Sequence, residues 1–346
     1  MHININYIIK NMTFTLYILI INCFVFLASD VQDKLIFVYT HFRHGARAPG
    51  TLDEEHLDLL GEKWTNPSEL TGIGQRMCYI LGLRNRIRYI KNLKFLSEKF
   101  DPHEIIIFSS NFNRTIESIY SQLQGLYPQS AELGEVLTQK QESLSYPQVN
   151  VHCDEIDKEI EKLGGNALPH KMTVAPVRMI DQFDLKINAI YTWTCNAQKE
   201  KIKGKNRNTN QVIKTFVKEF NEKYGEKLNT FFGTPDEQYE FPNVEKICEA
   251  FVTSYTDRRN LTEFKKTGID FQEFNELCNN MSKINFQYQF FGDKDKTLAH
   301  AESSRQMDEF IHYMKQRIDA DISGEKIEEK TKDYSRPKML IVSGHD

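Results

Sequence analysis

Three apolar runs, far apart in the chain, constrain the fold more than any other feature. They are residues 33–39 (Asp33 to Tyr39), 104–108 (Glu104 to Phe108) and 336–342 (Arg336 to Val342). Each is of strand length, and each passes directly into a polar turn: Thr40 to Gly50, Ser109 to Thr115, and Ser343 to Asp346. A continuous apolar run marks a strand buried on both faces, as in a parallel sheet covered by helices. Helical patterns follow the first two. Thr71 is placed to cap a helix in which Met77, Ile80, Leu81 and Arg84 recur, running on to about Tyr89. Ile116, Ile119, Tyr120 and Leu123 mark the other. The reading is an α/β fold with a mostly parallel sheet flanked by helices. In such open sheets ligands bind beyond the carboxyl ends of the strands.

The turns carry the chemistry. Residues 40–50 read Thr-His-Phe-Arg-His-Gly-Ala-Arg-Ala-Pro-Gly. Arg43 and Arg47 flank His44, and Gly45 lets the backbone approach a ligand closely. Guanidinium forks match phosphoryl oxygens, and a neutral imidazole between them is a nucleophile that can take a phosphoryl group. Arg114 stands at the start of the second helix, where backbone N–H groups already favour an anion. His345 and Asp346 follow the third run.

The segment Arg43 to Pro49 fits Arg-His-Gly-x-Arg-x-Pro at every fixed position, and here the chain resembles the histidine acid phosphatases, a branch of the histidine phosphatase superfamily. The Leu70-Thr71-x-x-Gly74 helix opening, the arginine after a Ser-rich turn and the final His-Asp pair are also similar to that family. The resemblance implies hydrolysis of phosphate monoesters in two steps. His44 attacks phosphorus and becomes phosphohistidine. Arg43, Arg47, Arg114 and His345 hold the phosphoryl oxygens, and Asp346 protonates the departing alcohol. Arginines that oppose protonation of His44 would keep it nucleophilic in acid. No metal or other cofactor is implied. Family members continue past the His-Asp pair, so the expectation is that a C-terminal part of the core is missing from this chain.

Residues 125–296 have a different character, helical and rich in aromatics. Val212, Phe216, Phe220 and Tyr224 form one stripe; Phe271, Phe274 and Leu277 form another. By resemblance this is a mainly helical cap inserted into a core made of 30–124 and 297–346. The basic run from Lys199 to Arg207 is read as a solvated loop. His300 and Glu302 are read as surface residues near the start of a helix over about 304–318.

Residues 1–29 read as a signal peptide: Lys10, an apolar stretch from Met12, and small residues at Ala28 and Ser29. The rival reading is an uncleaved anchor, and the chain meets a membrane only in that case. Cys78, Cys153, Cys195, Cys248 and Cys278 lie beyond it, widely spaced and without a CxxC pair, which points to disulfides rather than metal. Asn260 and Asn280 open glycosylation sequons, consistent with secretion or a lysosomal destination; a third, at Asn113, would crowd the pocket. A net charge of −4 gives nucleic acid no electrostatic hold. The substrate expected is a small phosphate ester or phosphoprotein. The alternatives are a phytase-like enzyme acting on inositol polyphosphates and a non-catalytic secreted paralogue. A phosphoglycerate-mutase-like transferase fits less well.

Overall fold

The computed structural model describes residues 34–50, 60, 64, 66–128, 136–145, 147, 153–180, 211–291, 297–323 and 337–345. The signal-peptide segment, Cys195, the basic run and Asp346 lie outside them. Residues 37–346 form the unit that holds every element below. Among the described residues no helix is long and apolar enough to cross a membrane.

Four strands, β1 (Val38–Arg43), β2 (Ile105–Ser110), β3 (Arg178–Ile180) and β4 (Met339–Gly344), form one parallel sheet in the order β1-β4-β2-β3. The most C-terminal strand thus sits between β1 and β2, pairing Thr40 with Ile341 and Ile107 with Ile341. Every residue of β2 and β4 is buried, which explains their unbroken apolar runs. Met339 and Ile341 face one side with Ile105 and Ile107; Leu340 and Val342 face the other with Ile106 and Phe108. This is the two-residue alternation of a pleated strand. Strand β3 arises inside 125–296, so that interval lends the sheet an edge strand as well as helices.

The strands run further than their apolar stretches. Strand β1 starts five residues after Asp33 and continues through Thr40, His41 and Phe42 to Arg43. Ser109, Ser110, Ser343 and Gly344 are also strand rather than turn. Backbone pairing to β4 on both sides carries these polar residues along. Buried Ser343 meets the requirement for a partner by donating its hydroxyl hydrogen to the Thr115 carbonyl at 2.9 Å.

Helix α2 (Asn113–Leu126) covers the first sheet face through Ile119, Leu123 and Leu126, and α1 (Gly72–Asn85) packs against α2. Thr71 caps α1 by accepting from the Gly74 N–H at 3.1 Å. The buried face of α1 is Gly74, Cys78, Gly82 and Asn85, not the large residues the spacing suggested; Met77 and Ile80 are 47% and 56% exposed. Small residues win because α1 and α2 nearly touch. A Cβ on Gly82 would lie 1.9 Å from the Gln122 carbonyl oxygen. Helix α1 continues into a π-helical turn over Arg86–Asn92.

Two short helices follow, α3 (Gln139–Leu144) and α4 (Asp154–Leu163). The next group is α5 (Gln211–Phe220), joined by a π turn (Asn221–Gly225) to α6 (Glu226–Phe232), then α7 (Phe241–Thr256), α8 (Thr262–Lys265) and α9 (Phe271–Phe291). These enclose a second core in which Phe220, Phe251, Phe264 and Phe274 have no exposed surface. The α5 stripe begins at Ile213, while Val212 is 60% exposed. A disulfide joins Cys248 of α7 to Cys278 of α9; Cys78 and Cys153 are free thiols. Helix α10 (Thr297–Ser323) is longer than the spacing suggested and includes His300 and Glu302. It covers the second sheet face, with Phe310 packed 4.8 Å from Tyr39 between ring centres.

Candidate active site

The carboxyl ends of β1, β2 and β4 bring the expected residues together. The His44 N–H donates to the Gly344 carbonyl at 3.0 Å, so the histidine after β1 is tied to the end of β4. The His44 and His345 rings meet edge to face, 5.3 Å between centres. Phe112 flanks His345 at 4.9 Å between ring centres, and the Arg114 guanidinium lies over the Phe112 ring, 4.8 Å from its centre. The charges of Arg43 and Arg114 act on both imidazoles, and that of Arg47 acts on His345. Of the six residues singled out, only Asp346 falls outside the described positions.

His44 is 5% exposed. Its Nδ1 lies 2.8 Å from the Gly45 carbonyl oxygen. A carbonyl only accepts, so Nδ1 carries the hydrogen and Nε2 keeps its lone pair. Burial holds the ring's pKa down at about 3, with Arg43, His345 and Arg114 adding to the effect against the Gly45 hydrogen bond. The arginines therefore act as expected, but desolvation does more. His345 is lowered to about 4, again by burial first, then by Arg114 and Arg43. Both rings are neutral at mildly acid pH.

Hydroxyls that carried no signal of their own set these positions. The Thr115 hydroxyl donates to the carbonyls of Ser110 (2.8 Å) and Phe112 (2.9 Å), and Ser110 Oγ donates to Thr115 Oγ1 at 2.9 Å. Ser110 Oγ also pairs with His345 Nε2 at 3.2 Å, which holds the ring in place. Ser118 Oγ accepts from the Gly45 N–H at 3.0 Å and donates to the Arg114 carbonyl at 2.6 Å, so one buried side chain joins the nucleophile's loop to α2. The Cys78 thiol lies beside Ser118 and the Gly45 backbone, and burial raises its pKa. Ser118→Ala leaves the half-buried Gly45 N–H without its acceptor. It is expected to cost about 1–3 kcal/mol in urea unfolding; a loss under about 0.5 kcal/mol would show that the loop does not depend on it.

Gly45 is also required for packing. A Cβ there would lie 2.4 Å from the Gly74 carbonyl oxygen, so its missing side chain admits α1. The α1 cap completes this contact, since the Thr71 N–H donates to the Ala46 carbonyl at 2.9 Å.

Arg47 differs from the others in its company. Its Nη2 donates to Glu249 Oε1 at 2.5 Å and its Nη1 to the Ala48 carbonyl at 2.9 Å. Glu249 belongs to α7, and nothing in the sequence singled it out.

The chain is similar to known proteins in a consistent way. It is 37% identical over 103 residues to the human testicular acid phosphatase, a stretch that is 29% of this chain and 24% of that protein. It is 26% identical over 129 residues to the human lysophosphatidic acid phosphatase type 6, covering 37% of this chain and 27% of the relative. Each alignment thus spans about a quarter of the relative's own length. The solved structure of the Klebsiella sp ASR1 phytase superposes with a TM-score of 0.49 at 13% identity, over 90% of this chain and 70% of that one. The sequence model of the histidine phosphatase superfamily (branch 2) matches residues 34–322, well over half of the chain. The chain therefore belongs to the histidine phosphatase superfamily, branch 2.

Proposed function

We propose that the protein is an acid phosphatase that hydrolyses phosphate monoesters through a phosphohistidine on His44. The observation that carries this reading is the state of the His44 ring: buried, neutral in acid, its Nδ1–H held by the Gly45 carbonyl, and facing His345 among three arginines. In the first step Nε2 attacks phosphorus, the N–P bond forms as the ester P–O bond breaks, and Asp346 gives its proton to the leaving alkoxide. In the second step water attacks phosphorus and gives a proton to the Asp346 carboxylate, the N–P bond breaks, and phosphate leaves as His44 returns to neutral imidazole. Arg43, Arg47, Arg114 and His345 bind the phosphoryl oxygens and offset charge in the transition state.

The helices over 211–291 act as the cap in this reading. A secretory route, to the exterior or a lysosome, is supported by the N-terminal segment, by the Cys248–Cys278 disulfide and by the exposed positions of Asn260 and Asn280.

The test is phosphate release from p-nitrophenyl phosphate and from phytate across pH 3–9, wild type beside Asp346→Ala. The expected result is activity greatest below neutrality, faster on the simple ester, and reduced by about 10²–10⁴ in the variant. A pH optimum well above neutrality, or equal turnover by the variant, would count against the mechanism.

A further inference from the structure

We propose that Glu249 is a positioning residue for substrate binding, holding the Arg47 guanidinium in the orientation that grips a phosphoryl oxygen. This rests on the phosphatase reading above. Arg47 lies four residues beyond β1, on a loop rather than in the sheet. Two contacts fix its planar head, Nη1 on the Ala48 carbonyl and Nη2 on Glu249, with both charged side chains 19% exposed. Each terminal nitrogen carries two hydrogens, so a head held in this way still has hydrogens to offer an anion.

Glu249 can act as a fixed point because its own backbone is fixed. The preceding residue, Cys248, is bonded to Cys278 on α9. The following two, Ala250 and Phe251, are buried in the second core with no exposed surface. The helical region thus contributes a side chain to the phosphate site through Arg47. An arginine already held in place binds with less ordering left to do, which favours substrate affinity first and, through the same grip, the transition state.

The test measures p-nitrophenyl phosphate kinetics and binding of inorganic phosphate by titration calorimetry. Glu249→Ala is expected to raise KM and the phosphate Kd about tenfold, with a smaller fall in kcat. Glu249→Gln keeps an oxygen that accepts from Nη2, so it restores most of the affinity. Glu249→Asp keeps the charge but withdraws it by one methylene, and it shows the higher KM even if the alanine variant fails to fold. With Arg47→Met in place, Glu249→Ala has no further effect.

Unchanged affinity in both the alanine and aspartate variants would overturn the proposal and leave Glu249 a structural ion pair. Tighter phosphate binding in Glu249→Ala would overturn it too, since the carboxylate would then compete with substrate. In either case a wild type that hydrolyses the ester keeps the phosphatase reading intact. A wild type that neither binds phosphate nor turns over ester sinks both.

Discussion

His44→Ala is expected to lower phosphate release by about 10⁴- to 10⁶-fold, the scale seen when an enzyme loses its nucleophile. Labelled phosphate should be trapped on the wild-type protein after a brief reaction and an alkaline quench, since a P–N bond survives base and not acid. The variant should carry none. Label retained on His44→Ala would place the nucleophile elsewhere.

The same substitution should change how stability depends on pH. An unfolded chain binds a proton on His44 near pH 6.5, the folded one only near pH 3. Between those values the unfolded state holds more protons, so stability is lost as pH falls from 6.5 towards 3. His345 adds to this over the window from 6.5 to about 4. Urea midpoints at pH 7 and pH 4.5 should therefore lie closer together for His44→Ala than for wild type. Equal spacing in the two proteins would contradict the buried, neutral ring.

Much of this site is legible in the sequence because its residues are contiguous with strands. His44, Arg43 and Arg114 follow apolar runs directly, and the parallel sheet brings the ends of those runs together. What is not legible depends on contacts between distant segments. The buried face of α1 is hidden because packing selected small residues at Gly74, Cys78 and Gly82, whereas periodicity draws the eye to Met77 and Ile80. The strands overrun their apolar stretches because pairing with β4, not side-chain type, decides where they stop. Ser118 and Ser110 are ordinary residues for a helix and a strand end, and only their hydrogen bonds to Gly45 and His345 give them a role. Glu249 is 202 positions from Arg47, one carboxylate among many on amphipathic helices.

The second core makes its own prediction. Phe251→Ala should cost roughly 3–5 kcal/mol, the range for removing a fully buried aromatic ring. Phe251 has no exposed surface, and its ring centre lies 4.8 Å from that of Phe274, 5.1 Å from Phe264 and 5.8 Å from both Tyr255 and Phe271. Four aromatic partners, drawn from α7, α8 and α9, would lose a shared neighbour at once. Rigid rings on separate helices collapse poorly into the space left, and this places the cost towards the top of the range. Against a total stability of about 5–15 kcal/mol, the loss should appear as a fall in Tm of roughly 5–15 °C. Phe251→Leu refills most of the volume and should recover more than half of that fall. A Tm within about 2 °C of wild type for the alanine variant would mean that the aromatic cluster contributes little to holding these helices together. The disulfide beside it would then be the stronger constraint, since closing the loop between Cys248 and Cys278 is worth about 3–4 kcal/mol on chain-entropy grounds, and Cys248→Ser would show the larger shift.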